Sequence, residues 1–439
     1  MKIAYFSPFS PDRSGISDFS EELVFELAKW CQVDLYAGKP VASEKIKKEF
    51  RVYPACDIDR TDIRKQYDHL IYQVGNNRDY HKTVIDTLLK YPGILELHDF
   101  SLHHYLAEDT FVQKDFDGYL RIMKYCHGRE GERTAKRFLK GEIRAPWEDQ
   151  SAKYTVNKHL IDQARAVIVH SDMAKQMVKG IRPQAPVINI PLHTTDIRKD
   201  YRRYTAACRQ SLGIKEPLIF GSFGYATSAK RIEPIIRALA GLKQDGLKGF
   251  QYLIVGKVEN VPVDQLKKQY DLEKEILVTG YTTIDQFKLY MGACDICFNL
   301  RYPTQGESSA SLHRMLGLGK AVLVTSIGSF EEYPDDVVIK IGHGASETDE
   351  IAEAVSRLIK ERDYLARRQE AAYRYAARHL DLKKNARIYY DFFQQLTEGT
   401  YADVYEDHLL DVLDSLGLMD EMYALRLTDR IRDWYEAHF

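Results

Sequence analysis

The stretch Tyr302-Pro-Thr-Gln-Gly-Glu-Ser-Ser-Ala-Ser-Leu-His-Arg-Met-Leu-Gly-Leu-Gly-Lys-Ala-Val-Leu-Val324 reads as a helix start able to hold an anion. Glu307, Ser308 and Ser309 stand at the amino end of a segment, 308–318, that puts Leu312, Met315 and Leu316 on one stripe, and Gly319 follows as its stop signal. The free backbone amides and partial positive charge of such an end suit a diphosphate. Cys294–Leu300 before it and Ala321–Val324 after it are apolar enough to be buried strands. A second loop, Gly224-Tyr-Ala-Thr-Ser-Ala-Lys230-Arg231, follows the strand-like Leu218–Phe223 and brings two adjacent cations to another helix start. Such cations stabilise a leaving group whose negative charge grows as its bond breaks.

Further candidates end apolar runs nearer the amino terminus. His98 and Asp99 follow Gly93–Leu97, while Gln73 and Asn76 close His69–Gln73, where ligand contact and loop capping both remain open. His103 and His104 lie in helix-like sequence without an i, i+4 partner of ligand type, and read as structural or ligand-lining. Cys294 and Cys297 form a C-x-x-C spacing with no second pair, so the pair reads as small core residues. Asp335-Asp336 and Asp115-x-Asp117 do not follow strands, and no metal is expected there. Arg121, Lys124, Arg129, Arg133, Lys136, Arg137, Lys140 and Arg144 make a basic segment that is either a solvated face or a dock for anionic lipid or acidic glycan.

These loops need a scaffold, and the chain supplies strands and helices in alternation. Strands are expected at Lys2–Phe6, Val33–Tyr36, His69–Gln73, Gly93–Leu97, Ala166–His170 and Val187–Ile190, then again at Leu218–Phe223, Tyr252–Gly256 and Ile276–Gly280. That pattern predicts two doubly wound α/β domains, 1–197 and 198–381, joined through a polar linker at Asp196–Glu216. Helices are expected near Phe19–Trp30, Ile232–Leu242 and Glu350–Tyr375. A helical extension, 382–439, is expected to be anchored by Leu409, Leu410, Leu413, Leu416 and Leu418 and partly to cross back to the first domain. The 439 residues carry a formal net charge of −2, which gives no field for nucleic acid. No apolar span approaches 20 residues and no signal-peptide pattern opens the chain, so a cytoplasmic setting with six reduced cysteines is expected.

The order and spacing of these motifs resemble retaining glycosyltransferases of the GT-B fold, family four, over roughly residues 1–395. Gly224 to Lys230 stands where that family carries Gly-Arg-Leu-x-x-x-Lys, Pro303-Thr-x-x-Glu307 where it carries Pro-Ser-x-x-Glu, and Gly319–Val322 where it carries Gly-x-Pro-Val. The Pro8–Gly15 loop, Gln73–Asn76 and Leu97–Asp99 are similar to its first half. The resemblance implies a nucleoside-diphosphate sugar as co-substrate, no metal, and a glycan or lipid-linked acceptor in polysaccharide biosynthesis. It further implies that Lys230 meets the donor phosphates, Glu307 grips sugar hydroxyls and His98 lies beside the transferred carbon. Gly15, Gly224, Ser308 and Ser309 would complete the phosphate site, Tyr281 would hold the base, and Gln73, Asn76 and Asp99 would face the acceptor. On the docking reading of its basic segment, and not on the solvated-face reading, the protein would touch the inner face of a membrane through residues 121–144. Two departures stand out: Tyr225 replaces the family's arginine, for which Arg231 is expected to compensate, and the second family glutamate falls on Arg314 or Met315. The lost glutamate makes a non-catalytic sugar-nucleotide-binding subunit one alternative reading, and a sugar-nucleotide epimerase is another.

Overall fold

Short runs of three to six residues, too short for helices and most of them apolar, form the strands of the sheets that follow. The computed structural model describes residues 1–12, 14–60 and 63–399, and contacts divide these into two units. The first unit comprises Met1–Ile190 with the described residues from Ala386 onward, and the second comprises Pro191–Asn385.

In the first unit β1 (Lys2–Phe6), β2 (Gln32–Ala37), β3 (Arg51–Pro54), β4 (His69–Val74), β5 (Ile94–Leu97), β6 (Ala166–Val169) and β7 (Val187–Asn189) make one parallel sheet in the order β3-β2-β1-β4-β5-β6-β7. Parallel strands are covered on both faces, which is why β4 and β5 are buried almost throughout. The order reverses between β1 and β4, the switch point at which loops diverge and leave a crevice at the carboxyl ends of the strands. The Gly15–Leu27 helix follows β1, with the Ser14 hydroxyl accepting from the Ile16 amide as its cap.

The second unit repeats the plan. Strands β8 (Leu218–Phe223), β9 (Phe250–Val255), β10 (Ile276–Gly280), β11 (Ile296–Asn299), β12 (Ala321–Thr325) and β13 (Ile339–Ile341) pair in parallel in the order β10-β9-β8-β11-β12-β13. Phe220, Tyr252, Phe298 and Leu323 face one apolar layer, and their neighbours Ile219, Leu253, Cys297 and Val322 face the other. The switch point lies between β8 and β11, so the loops after these two strands are neighbours.

Several expectations need correction. The polar stretch 196–216 is not an open linker, because Tyr201–Leu212 is a helix that buries Tyr201 and Cys208 and ends on left-handed Gly213. The helix expected at 350–375 is two, Glu347–Lys360 and Arg362–His379, broken at Glu361, whose ψ of 84° leaves the helical region. The first helix starts four residues earlier than its apolar stripe suggests, at Gly15. Strands β3 and β13 were missed because they are short edge strands of mixed polarity. Cys294 and Cys297, read as small core residues, lie buried in one apolar layer, and the Cys294 thiol donates to the Tyr290 carbonyl at 3.3 Å. The Leu382–Thr397 helix passes from the second unit into the first, whereas the expected anchors Leu409 to Leu418 lie outside the described residues. Among the described residues no helix is long and apolar enough to cross a membrane.

Candidate functional site

The second unit gathers its polar groups at the β8/β11 switch point. Gly224 ends β8 with a φ of 86°, and a Cβ there would come within 2.7 Å of the Lys230 Nζ. That left-handed φ is what favours glycine here, since the flexible lysine tip could move aside for a side chain. The Lys230 ammonium donates to the Phe223 carbonyl. Its enclosure, and next the charge of Arg301, push the lysine down to about 7, with Glu307 pulling the other way.

Glu307 is 6% exposed, and both of its oxygens accept hydrogen bonds. Its Oε1 accepts from the Arg301 Nη1 at 2.8 Å; its Oε2 accepts from the Thr304 hydroxyl at 3.0 Å and the Gln305 amide at 2.7 Å. Burial works against its charge, but Arg301 and the backbone amides outweigh it and hold the carboxyl below the usual range. The loop itself is clamped by the next strands: the Thr325 hydroxyl accepts from the Arg301 amide at 2.8 Å and the Ser329 hydroxyl donates to the Glu307 carbonyl at 2.7 Å.

Ser309 caps the Ala310–Gly317 helix, its Oγ accepting from the Leu312 amide at 3.3 Å and donating to Asn299 Oδ1 at 3.0 Å. With 1% of its surface exposed it positions the helix start, and half-buried Ser308 lies beside it. Tyr225 and Tyr281 are exposed, 47% and 58%, at the ends of their loops. Arg231, expected to replace the missing arginine, is instead tied to Glu347: Nε and Nη2 reach the carboxylate at 2.5–3.0 Å, and Glu347 is 1% exposed. At the positions counted for the second glutamate, Arg314 pairs with Asp196 and Met315 is in the core.

The first unit holds a separate cluster around His98. The His98 Nε2 lies 2.7 Å from Gln73 Oε1, and Gln73 Nε2 donates to Glu96 Oε2 at 2.5 Å. Because an amide oxygen only accepts, this chain puts a proton on the His98 Nε2. Glu96 also accepts from the Tyr389 hydroxyl at 2.5 Å, and burial pushes its carboxyl up to about 7 against those hydrogen bonds. Gln73 cannot face an acceptor as expected: it is fully buried, and its amide is spent on Glu96 and His98. Asn76 and Asp99 cap the neighbouring loop, Asp99 accepting from the Asn76 amide at 2.8 Å and Asn76 Oδ1 from the Tyr105 amide at 2.9 Å. Gly15 is exposed, and a side chain there would meet open space. His103 is fully buried against the Tyr119 hydroxyl, a structural role.

Glu96, His98 and His170 bring potential ligand atoms within 4.8 Å of one another. Both Glu96 oxygens take protein donors, the His170 Nδ1 donates to the Ile190 carbonyl at 2.8 Å, and the His170 Nε2 lies 3.6 Å from Glu96 Oε1. Sequence reasoning missed Arg301, Glu96 and Glu347. A carboxylate inside the apolar run Gly93–Leu97 and a cation directly after a buried strand were the available signals.

Residues 206–375 match the family described as Glycosyl transferases group 1. The second unit is a glycosyltransferase group 1 domain. The site assembled from Gly224, Lys230, Arg301 and Glu307 lies wholly inside that glycosyltransferase domain. No curated protein matches the chain by sequence. Among solved structures, sucrose-phosphate synthase from Thermosynechococcus elongatus is similar over 91% of this chain and all of its own, at 14% identity and a TM-score of 0.64. HepE of Anabaena, described in complex with UDP-glucose, is similar over 91% of this chain and all of its own, at 15% identity and a TM-score of 0.61. WaaG, a glycosyltransferase involved in lipopolysaccharide biosynthesis, is similar over 89% and 99%, at 14% identity and a TM-score of 0.58. At such identities these likenesses establish the GT-B fold of the glycosyltransferase.

Proposed function

We propose that the protein is a retaining glycosyltransferase that moves a hexose-type sugar from a nucleoside diphosphate to a hydroxyl of a glycan, glycolipid or small molecule. The observation that carries this reading is the meeting of Lys230 with the Glu307 loop and a helix start at the β8/β11 switch point. Cation and helix amides there oppose the charge that grows on a departing diphosphate, so no metal is needed in this reading. Glu307, held ionised, would accept a sugar hydroxyl at the lone pair that Arg301 leaves on Oε1. In the reaction the bond from the anomeric carbon to phosphate breaks and the acceptor oxygen bonds to the same face of that carbon. The acceptor's proton passes to a phosphate oxygen of the leaving nucleoside diphosphate.

Since HepE is described with UDP-glucose, UDP-hexoses are the first donors to try. The setting is cytoplasmic, with an acceptor approached at the inner face of a membrane. Arg121, Lys124, Lys136 and Arg137 are already paired with carboxylates, which leaves exposed Arg129, Arg133, Lys140 and Arg144 as the cations for such a face.

A thermal-shift panel of UDP, GDP, ADP and their sugar conjugates, with and without EDTA, tests the donor site. A ligand present at a hundredfold its Kd stabilises the folded state by about 2.7 kcal/mol. A selective shift that survives EDTA, followed by release of nucleoside diphosphate with a hydroxyl acceptor, supports the reading. Binding without release under any acceptor would instead mark a non-catalytic subunit, and conversion of the donor without release would mark an epimerase.

A further inference from the structure

We propose that Arg301 is the second cation of the donor-phosphate site, supplying from the loop after β11 the charge that Tyr225 does not provide; this inference rests on the donor site proposed above. A sugar nucleotide carries two negative charges on its diphosphate, and Lys230 answers one. The adjacent cation in sequence, Arg231, is committed to Glu347, which is 1% exposed. Turning Arg231 to a ligand would strand that carboxylate without water or partner.

Arg301 is placed differently. It sits two residues past β11, the strand next to β8 across the switch point, and the Tyr302 amide donates to the Ala229 carbonyl at 2.8 Å, joining its loop to that of Lys230. Its guanidinium touches Glu307 through Nη1, its Nε–H is buried and meets no acceptor among the described residues, and 24% of the side chain remains exposed. A guanidinium has five donors in a planar fork, so one bond to Glu307 leaves others for a phosphate. Glu307 can share Arg301, because its second oxygen keeps Thr304 and Gln305.

Two cations against one carboxylate leave the site with excess positive charge, and the cost of that arrangement falls when an anion enters. If Arg301 served only to pin the Glu307 loop, nothing would be gained from its nearness to Lys230 or from the uncommitted Nε–H. A diphosphate gives both features a use.

The test is calorimetric titration of wild type, Arg301→Gln, Arg301→Lys and Arg231→Gln with UDP, GDP and ADP and with the matching monophosphates. The expected result is a loss of about 10- to 100-fold in diphosphate affinity for Arg301→Gln, with monophosphate affinity within about twofold of wild type. Arg301→Lys should lose less, and it serves as the test if the glutamine variant does not fold. Arg231→Gln should keep the ratio of diphosphate to monophosphate affinity while melting earlier. An equal loss for both nucleotides in the Arg301 variants, or an unchanged ratio, would overturn the inference while leaving the donor site standing. Failure of wild type to bind any nucleoside diphosphate would overturn the donor site and the inference together.

Discussion

Lys230 should make sugar-nucleotide binding pH-dependent where most lysines would not. Its ammonium is enclosed and faces Arg301, which together bring it to about 7 against the help of Glu307. Only the protonated form can answer a phosphate, and a bound diphosphate restores the ordinary preference for the cation. Affinity is therefore greatest below the free-site value and falls as pH rises through it. Between about pH 7 and about pH 8.5 the protonated fraction drops from half to a few per cent, so affinity should fall roughly fifteenfold, or about 1.6 kcal/mol. A sugar nucleotide is the right ligand, because its diphosphate has no proton to lose in this window, whereas a free nucleoside diphosphate does. Calorimetric Kd values at several pH points, in buffers of different ionisation enthalpy, would also count the proton taken up on binding. Arg301→Gln should weaken binding at neutral pH yet shift the fall to higher pH, since it removes a repelling charge. A flat profile, or affinity rising with pH, would refute the argument.

Three further outcomes are expected. Arg231→Ala should lower unfolding free energy by about 2 to 3 kcal/mol in a denaturant titration, because it strands buried Glu347; the figure is discounted for the exposed part of the arginine. Ser309→Ala should cost about 1 to 2 kcal/mol by the same assay, since it removes both the helix cap and the bond to Asn299. Glu96 keeps its proton to about 7 in the folded protein against 4.5 as the ordinary value. The folded state then holds a proton that the unfolded state has lost, so this group's contribution is complete below about 4.5 and disappears as pH rises to 7. Its size is up to about 3 kcal/mol, and Glu96→Gln should remove that slope from a pH series of denaturant titrations. Tyr389, Tyr5 and His170 face Glu96 as well, so the difference between variant and wild type is the quantity to read.

The sheet plan was legible because β-strand burial leaves a strong mark: Leu218–Phe223 and Ala321–Val324 are apolar for as long as they are covered on both faces. The edge strands Arg51–Pro54 and Ile339–Ile341 were not, since they are short and carry mixed side chains, whereas the edge strands Val187–Asn189 and Ile276–Gly280 were apolar enough to read. Tyr201–Leu212 looked like a linker because its outward face is charged, and only Tyr201 and Cys208 are buried. At the site, Gly224, Lys230 and Glu307 stood out because each stands in a loop that follows a buried strand. The partner of each charge could not. Arg231 and Glu347 are 116 residues apart and Glu96 meets Tyr389 across 293, distances over which no local pattern carries information. Gln73 illustrates the remaining limit: a polar residue in a strand reads as a ligand contact until the buried Glu96 beneath it is known.

The loop from Arg301 to Ser309 is held by side chains of the strands around it, Thr325 and Asn299 among them, and by its own glutamate. The ordering entropy of those residues is thus spent when the chain folds and not when a nucleotide arrives. Such a loop needs no rearrangement to receive its ligand, which favours association limited by diffusion and a donor affinity set chiefly by escape. The amides of Arg301 and Gln305, each bonded to a side-chain oxygen, should accordingly exchange slowly with solvent in the nucleotide-free protein, and adding a nucleotide should slow them little further.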